Sequence, residues 1–412
     1  MNIKVITQKG LKSVSVLYFK IVSSIAFIPA VVALLFLILS LVMVQFDYSD
    51  AGKAIKANAH WLTLKDASTA RSIISTITGG IISLTVFSFS MVMILLNQAA
   101  SQMSNRILDK LIGNRFQQIV LGFYIGTIVY ALFLMSTIRD IDSGVYVPAI
   151  STYLLISFTV IDIFLFIYFL HYVTQSVKYE TIIHQISDTT QRALEKNWQF
   201  STVTQTCTLT ASGLNLPANK SGVYQGFMEK PLLALCKREN LILSIDVPTG
   251  TSLIEGTPFI RFLNVQSVSR DVKDQINGTI NIHGGQSIAN NYFYGLRQLT
   301  EVALKALSPG INDPGTAILS LQALGQLLAF RALHYPGNTL QDDEKTTRIF
   351  IRERTFEEIF EDCIFPIWDY GKKDRMLINA LHHVLSQLNQ STPRAVIKNL
   401  LAQVEKSKTQ MD

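Results

Sequence analysis

Cysteine is scarce in this chain, and its few copies are widely spaced. Three cysteines occur in 412 residues, at Cys207, Cys236 and Cys363, and no histidine stands next to any of them. An odd number of isolated cysteines argues against a disulfide framework and against a zinc site. The sequence therefore predicts that the part of the chain with the cysteines lies in a reducing compartment.

Charged residues are also few. They make up 16% of the chain, against 49% hydrophobic residues, which indicates an integral membrane protein with a sizeable water-exposed part. Residues 1–173 hold 12 Lys and Arg against 7 Asp and Glu, and the remainder holds 24 against 23. Because the positive surplus lies in the apolar part, it indicates membrane topology and attraction to lipid, and no nucleic-acid partner is predicted.

Sequence motifs of enzyme active sites are missing. Neither GxxxxGK[ST] nor GxGxxG occurs, and no Ser/His/Asp or Cys/His arrangement is recognisable. His382 and His383 are adjacent, so on a helix their side chains point about 100° apart and form a poor pair of metal ligands. We therefore predict no enzyme, no metal and no cofactor.

Long uncharged runs dominate the first part of the chain. Four of them, at about 21–46, 72–96, 116–138 and 146–172, are each long enough to cross a hydrocarbon core of roughly 30 Å as a helix. Residues 1–173 are therefore predicted to form a transmembrane domain with four spans, which puts both termini on the same side.

The distribution of basic residues predicts which side that is. Four lysines and no acidic residue precede the first span, and Arg106, Lys110 and Arg115 follow the second. The loops on the other side carry fewer basic residues and dilute them with Asp47, Asp50 and other acids. By the positive-inside rule, both termini are predicted to be cytoplasmic.

Beyond the last span, helix and strand patterns alternate. Residues 174–200 favour a helical linker, and strand patterns separated by paired turns predict a small β-rich, sandwich- or barrel-like subdomain at 201–270. Residues 271–412 are predicted to be mostly helical. The predicted fold class is integral membrane α-helical plus an α+β cytoplasmic domain. Its individual elements are strands at 205–211, 222–227, 241–247, 258–263 and 347–353, and helices at 230–238, 292–307, 314–333, 355–370, 374–390 and 393–408.

The second span carries an unusual set of small and hydroxylated residues. Thr76, Ser83, Ser90 and Asn97 recur every seven residues, and a straight helix drifts only about 20° per heptad, so they lie on one line. Such a line is explained either by tight helix packing or by the wall of a water-filled path. Both interpretations make this helix the inner one. We call this set the stripe; it consists of Ser72, Thr76, Gly79, Gly80, Ser83, Ser90 and Asn97.

Asp162 lies near the middle of the fourth span. A carboxylate at that depth costs about 3 kcal/mol or more unless it is neutral, paired or hydrated. One interpretation is an ion or proton site. The other is a protonated or hydrogen-bonded structural residue that faces the stripe.

The segment LSPGINDPG breaks the helical region at about residue 310. Asp313 is suited to cap the helix that follows, and Pro314 fits its first position. Arg297 could reach back to Asn312 and Asp313 if the two helices pack antiparallel. The alternatives are a regulatory anion contact at the helix N-terminus and a well-capped helical hairpin.

Two longer segments resemble a known family. They are the run from Phe87 to Arg139 and the segment GLRQLTEVALKALSPGINDPGTAILSL, together with SGVYQGF and PTGTSLIEGTPF. These segments are similar to the bacterial predicted membrane protein family known as domain of unknown function 2254. The resemblance implies four spans, a large cytoplasmic portion and a bacterial inner (plasma) membrane location, but no activity.

Physical reasoning then gives two hypotheses from different classes. The first is a homo-oligomeric ion channel or channel-like transport protein, with the stripe along an axial path and the cytoplasmic domain as platform and gate. The second is a non-conducting membrane-anchored sensor or scaffold whose cytoplasmic domain binds a protein or small ligand. The predicted partners are the lipid bilayer, other copies of the chain, and ions or a small anionic ligand.

Overall fold

The computed structural model describes residues 24, 26–58, 66–102, 115–141, 144–176, 178–196 and 213–411. These residues form two compact units, which we call the N-terminal unit, up to Lys178, and the C-terminal unit, from Tyr179. Several predicted features lie outside the described residues: the strand at 205–211, Cys207, Arg106, Lys110 and the lysines before the first span.

The N-terminal unit is almost entirely helical. Each predicted span corresponds to one of its long helices, although the helix that carries the stripe is longer than predicted. Its elements are α1 (Phe27–Tyr48), α2 (Asp50–Asn58), α3 (Ala67–Gln102), α4 (Arg115–Thr137), the hairpin strands β1 (Arg139–Ile141) and β2 (Gly144–Tyr146), and α5 (Ala149–Ser176).

Helix α4 is the inner helix of this unit, which corrects the prediction for the second span. In the most apolar 18-residue stretch of α4, 44% of the residues are buried, whereas the corresponding share is 17% in α1, α3 and α5. Two glycines explain how close α1 comes: a Cβ at Gly122 would lie 3.1 Å from the Val32 Cβ, and one at Gly126 would lie 2.8 Å from the Phe36 ring. Glycine permits this approach of two helices, as small residues do in membranes generally.

Asp47 holds one end of the N-terminal unit together. Its carboxylate is fully buried and accepts hydrogen bonds from the Ser151 N–H (2.8 Å), the Ser151 hydroxyl (2.5 Å) and the Ile150 N–H (3.2 Å) at the start of α5. Lys56 of α2 pairs with the same carboxylate at 3.2 Å and donates to the Asp47 carbonyl at 2.7 Å. One side chain thus caps α5 and ties it to α1 and α2.

We expect Asp47→Ala to destabilise the protein by about 3 kcal/mol, because it leaves Lys56 without its partner and the α5 N-terminus without its cap. Thermal unfolding of the purified protein in detergent measures the loss. The matched control is Asp50→Ala, which breaks an exposed pair with Lys53 on α2 and should leave the midpoint unchanged. Equal effects of the two substitutions would contradict this assignment.

The C-terminal unit combines two sheets with a group of helices. Its elements are α6 (Tyr179–Lys196), β3 (Leu214–Pro217), β4 (Gly222–Phe227), α7 (Glu229–Arg238), β5 (Leu243–Ile245), β6 (Ser252–Leu253), β7 (Pro258–Phe262), α8 (Arg270–Thr279), β8 (Ile280–His283), α9 (Tyr292–Leu307), α10 (Pro314–Leu333), β9 (Thr339–Gln341), β10 (Thr347–Ile351), α11 (Phe356–Gly371), α12 (Arg375–Ser391) and α13 (Ala395–Met411).

The strands come from both predicted subdomains. A five-stranded sheet has the order β3-β7-β5-β10-β9, and a three-stranded sheet has the order β6-β4-β8. Strand β10 pairs in parallel with β5, so a strand from the predicted helical region lies inside the sheet of the predicted β-rich region. The two sheets share one core with α7 and α8, and the sequence boundary at residue 270 does not separate two cores.

The helices form the rest of the C-terminal unit. Helix α6, predicted as part of a linker at 174–200, packs against α9 and α10 and buries Ile182, Ile186 and Leu194.

Cys236 and Cys363 are buried in this unit, and burial raises the pKa of both thiols to about 12.

Five helices are long and apolar enough to cross a membrane: α1, α3, α4 and α5, and also α10 of the C-terminal unit. Helix α10 is the least apolar of the five, and 56% of the residues in its most apolar 18-residue stretch are buried within the protein. It also carries Arg331, which is only 1% exposed and donates hydrogen bonds to the carbonyls of His334 and Arg354.

Candidate functional site

The stripe on α3 faces away from the rest of the N-terminal unit. All seven of its residues are exposed, whereas Ala70, Ile74 and Ile81 on the same helix are buried. Nine residues separate Ile74 from Ser83, which at 100° per residue places them on opposite sides of the helix. The stripe is therefore the outermost line of α3 in a single chain.

Within the described part of the chain, little covers the stripe. Apart from the neighbouring backbone of α3 itself, no atom of the described residues lies within 4 Å of a Cβ built at Gly79 or Gly80. The hydroxyls of Thr76 and Ser83 donate to carbonyls one turn earlier on the same helix, at 2.8 and 2.9 Å. These bonds make the hydroxyls tolerable in an apolar surrounding but fill none of the space beside the glycines. Any protein cover for the stripe has to come from beyond these residues.

Large apolar side chains border the stripe on both sides. Ile82 and Phe89 are exposed on one flank, and Phe87 and Ile94 are exposed on the other. Exposed side chains of this size are suited to acyl chains. The outer surface of α3 thus has a narrow line of small and polar residues between two apolar borders.

Asp162 is fully buried, and its neighbours lie on α4. The Thr127 hydroxyl lies beside the Asp162 carboxylate. The Tyr124 hydroxyl is close enough to interact electrostatically with the same carboxylate. Ser88, on the inner face of α3, lies beside Tyr124. Asp162 therefore faces the bundle interior, which disagrees with the second of its two interpretations, a structural residue that faces the stripe.

These four side chains form a buried polar cluster with few hydrogen bonds. Both carboxylate oxygens of Asp162 and the hydroxyls of Ser88, Tyr124 and Thr127 make no hydrogen bond of acceptable geometry with another protein atom. A buried polar group without a partner costs about 1–3 kcal/mol. Intramembrane ionisable residues in such a state usually serve a function.

Ser88, Tyr124 and Thr127 were not predicted as members of a polar cluster. Tyr124, Thr127 and Tyr130 recur every three residues and so lie on one face of α4, a pattern visible in the sequence. The Tyr130 hydroxyl donates to the Ser151 carbonyl at 3.2 Å. Because Ser151 also binds Asp47, polar side chains follow this face of α4 from the capped end of α5 towards Asp162.

We expect Asp162→Val to leave the thermal unfolding midpoint unchanged or to raise it, because the substitution removes a buried carboxyl that has no hydrogen-bonding partner. The comparison is Asp47→Ala, which removes an equally buried but fully bonded carboxylate. Thermal unfolding of both variants in the same detergent provides the measurement. A loss of stability at Asp162 as large as that at Asp47 would show that the cluster is structural.

The segment LSPGINDPG forms a capped turn between α9 and α10. The Asp313 carboxylate accepts from the Thr316 N–H at 3.1 Å and from the Thr316 hydroxyl at 2.6 Å, and Pro314 begins the helix. Asn312 has a positive φ of 48°, which asparagine tolerates better than most residues. The N-terminus of α10 is thus occupied by its own cap.

Arg297 is not brought to that cap. The Asp313 N–H donates to the Ala306 carbonyl at 2.8 Å, and Arg297 precedes Ala306 by nine residues, or about 13 Å of helix. Further along, the Ser320 hydroxyl donates to the Leu299 carbonyl, so Arg297 lies beside the middle of α10. The predicted anion contact between Arg297, Asn312 and Asp313 is therefore not assembled, and the capped hairpin is the interpretation that agrees with the geometry.

The C-terminal unit contains a different candidate, an open cleft of about 510 Å³. Its polar lining includes Gln225 of β4, Asn281 of β8, Asn290 and Glu353. Glu353 also lines a small neighbouring cavity of about 30 Å³. This cleft was not predicted from the sequence, in which the available signal was the run of charges in RERT directly after strand β10.

Comparison with known proteins places the chain in a family. The model of the predicted membrane protein family DUF2254 matches residues 22–387, which is most of the chain. The chain belongs to the DUF2254 family. Membership confirms the resemblance and agrees with a membrane protein that has several apolar helices, and the description of this family assigns it no activity.

Mycobacterial proteins are among the relatives of this DUF2254 chain. The uncharacterized proteins Rv1290c of Mycobacterium tuberculosis and Mb1321c of Mycobacterium bovis are each 25% identical to it over 336 residues. The match covers 78% of this chain and 64% of each relative, so it spans somewhat less than two thirds of their length. No solved structure matches the chain.

Proposed function

We propose that the chain forms a homo-oligomer in the bacterial inner membrane, in which the α3 helices of several copies border a hydrophilic, ion-conducting path. The C-terminal unit acts as assembly platform and gate on the cytoplasmic side, and the chain is not an enzyme. The observation that carries this proposal is the outward direction of the stripe, opposite the face by which α3 contacts its own chain.

In a bilayer the stripe needs a cover that acyl chains do not provide. Acyl chains offer no hydrogen bonds, and small residues at Gly79 and Gly80 leave a groove that another helix fills well. The apolar borders at Ile82 and Phe89 then seal the contact from lipid. Several copies can enclose a path that four spans of a single chain have little room to form.

The proposal keeps four spans, namely α1, α3, α4 and α5. Helix α10 is not counted as a span, because more than half of the residues in its most apolar stretch are already buried by protein. Its Arg331 is buried as well. Four crossings place both termini on one side, and the positive-inside rule favours the cytoplasm.

The chemistry of the stripe suggests weak charge selection. Its seven residues are all uncharged, so they provide hydroxyl and amide groups but no ring of carboxylates or guanidinium groups. Arg115, exposed at the start of α4, belongs to the basic rim that we expect to favour anions slightly.

We expect cysteines on the stripe to cross-link neighbouring copies. Ser83→Cys and Ser90→Cys, each in a Cys207→Ser background, should give disulfide-linked dimers in native membranes on mild oxidation, because the α3 helices of adjacent copies lie face to face. Ile82→Cys and Phe89→Cys are matched controls at the same depth but about 100° around the helix, and they should cross-link far less. Equal cross-linking at all four positions, or at none, would contradict the interface.

We expect the purified full-length protein to conduct ions in planar bilayers, and a bulky stripe to obstruct the path. The double variant Ser83→Leu, Ser90→Leu should reduce the single-channel conductance at least about tenfold, because leucine narrows and dehydrates a hydroxyl-lined wall. The control pair Ile82→Leu, Phe89→Leu should conduct like the wild type. An absence of current in any salt or under membrane tension would reject conduction.

A non-conducting, membrane-anchored sensor or scaffold is the second candidate. The observation that favours it is the polar cleft in the C-terminal unit, since a cleft of this volume falls within the range of small-molecule sites. Oligomerisation without current, together with ligand binding in the cleft, would select this function over the channel.

A further inference from the structure

We propose that the cleft of the C-terminal unit binds a small organic ammonium ion, with Glu353 as the carboxylate that receives the ammonium group. The cleft, its charges and its neighbours lie within one unit, so this inference holds whether or not the membrane helices conduct. It names a ligand class opposite in charge to the small anion predicted from the sequence.

The charges that line the cleft favour a cation. Among the lining residues, Glu229 and Glu353 are acidic and Lys196 is basic, while Arg331 and Arg354, which act on Glu353, are not part of the lining. Gln225, Asn281 and Asn290 add amide groups that accept or donate hydrogen bonds. A protonated amine with further hydrogen-bonding groups complements this lining better than a phosphate or a carboxylate does.

The lining also has an apolar part. Phe227, Leu340 and Ile351 contribute to the walls between the polar groups. A volume of about 510 Å³ suits a ligand of small-molecule size. The ligand class is therefore an amine that carries an alkyl or aromatic body.

The guanidinium groups near Glu353 make their close contacts with other groups, and the Nε atoms of Arg331 and Arg354 have no hydrogen-bond partner among the described residues. Arg331 donates to the His334 and Arg354 carbonyls, at 3.1 and 2.7 Å. Arg354 lies 4.0 Å above the Phe293 ring and 3.8 Å from the Asp362 carboxylate. Among the described residues, no cation lies within 4 Å of the Glu353 carboxylate.

Tyrosines surround Glu353 on its protein side. The Tyr292 hydroxyl is buried beside Glu353 without a hydrogen bond of good geometry. Tyr224, which is also buried, is close enough to interact electrostatically with the Glu353 carboxylate. This side offers Glu353 little solvation, so the cleft is the side from which an additional donor can reach it.

The protonation of Glu353 couples to binding. Burial raises the pKa of Glu353 to about 7, even though Arg331, Tyr292 and Arg354 act to lower it. An ammonium ion favours the ionised carboxylate, so binding releases a proton. Affinity should rise roughly tenfold per pH unit below about pH 7 and level off above it.

The tyrosines around Glu353 do not titrate in the same range. Burial raises the pKa of Tyr224, Tyr292 and Tyr335 above the ordinary value of tyrosine, so these side chains remain neutral near pH 7. The charged groups that face Glu353 or share its cleft are Arg331, Arg354, Lys196 and Glu229.

Calorimetric titration of the full-length protein in detergent tests the site. The probes are putrescine and tyramine, each paired with the neutral compound in which hydroxyl replaces the amine. We expect the amines to bind with sub-millimolar Kd at pH 8, about tenfold more weakly at pH 6, and the alcohols not to bind. Binding of neither amine at millimolar concentration, equal binding of the alcohols, or binding of inorganic phosphate instead would overturn the proposal.

Two variants locate the binding in the cleft. Glu353→Gln keeps the shape of the side chain and should weaken amine binding at least about tenfold and abolish its pH dependence. Asn281→Leu, which also changes the lining of the cleft, should weaken binding while keeping the pH dependence. Glu361→Gln, exposed on α11, is the control and should bind like the wild type. Retained, pH-dependent binding in Glu353→Gln would contradict the assignment, and the unfolding midpoint of each variant confirms that it is folded.

Discussion

A line of small and hydroxylated residues inside a bilayer has to be covered by something other than acyl chains. In this protein the cover cannot come from the helices that α3 contacts, because the stripe points away from them. The Thr76 and Ser83 hydroxyls donate to carbonyls of their own helix, but the open space beside Gly79 and Gly80 remains. The proposed oligomer and the proposed polar path both rest on this single constraint.

Two fully buried carboxylates in the N-terminal unit illustrate how surroundings distinguish structure from function. Asp47 receives three hydrogen bonds and a lysine, and it fixes the corner where α1, α2 and α5 meet. Asp162 has hydroxyl neighbours but no hydrogen bond of good geometry. The first stabilises the bundle, whereas the second carries an energetic cost that stability alone does not explain.

Local sequence determined what could be predicted. The four uncharged runs became α1, α3, α4 and α5, and the break at Asp313 became a capped turn, because length, hydropathy and capping depend on nearby residues. The rotation of α3 and the pairing of β10 with β5 depend on partners distant in sequence. The same holds for Arg297, whose distance from Asp313 follows from how α9 and α10 are paired, and for the cleft around Glu353, which several separate elements build.

The surroundings of the stripe in a real bilayer test the central claim most directly. Spin labels attached at Ser83→Cys and at Ile82→Cys sit at nearly the same depth, so their exposure to dissolved oxygen compares two sides of α3 at one level. We predict that oxygen, which concentrates among acyl chains, reaches the label at position 82 freely and the label at position 83 poorly. Equal, lipid-like oxygen exposure at both positions would mean that the stripe faces acyl chains, and it would contradict the account.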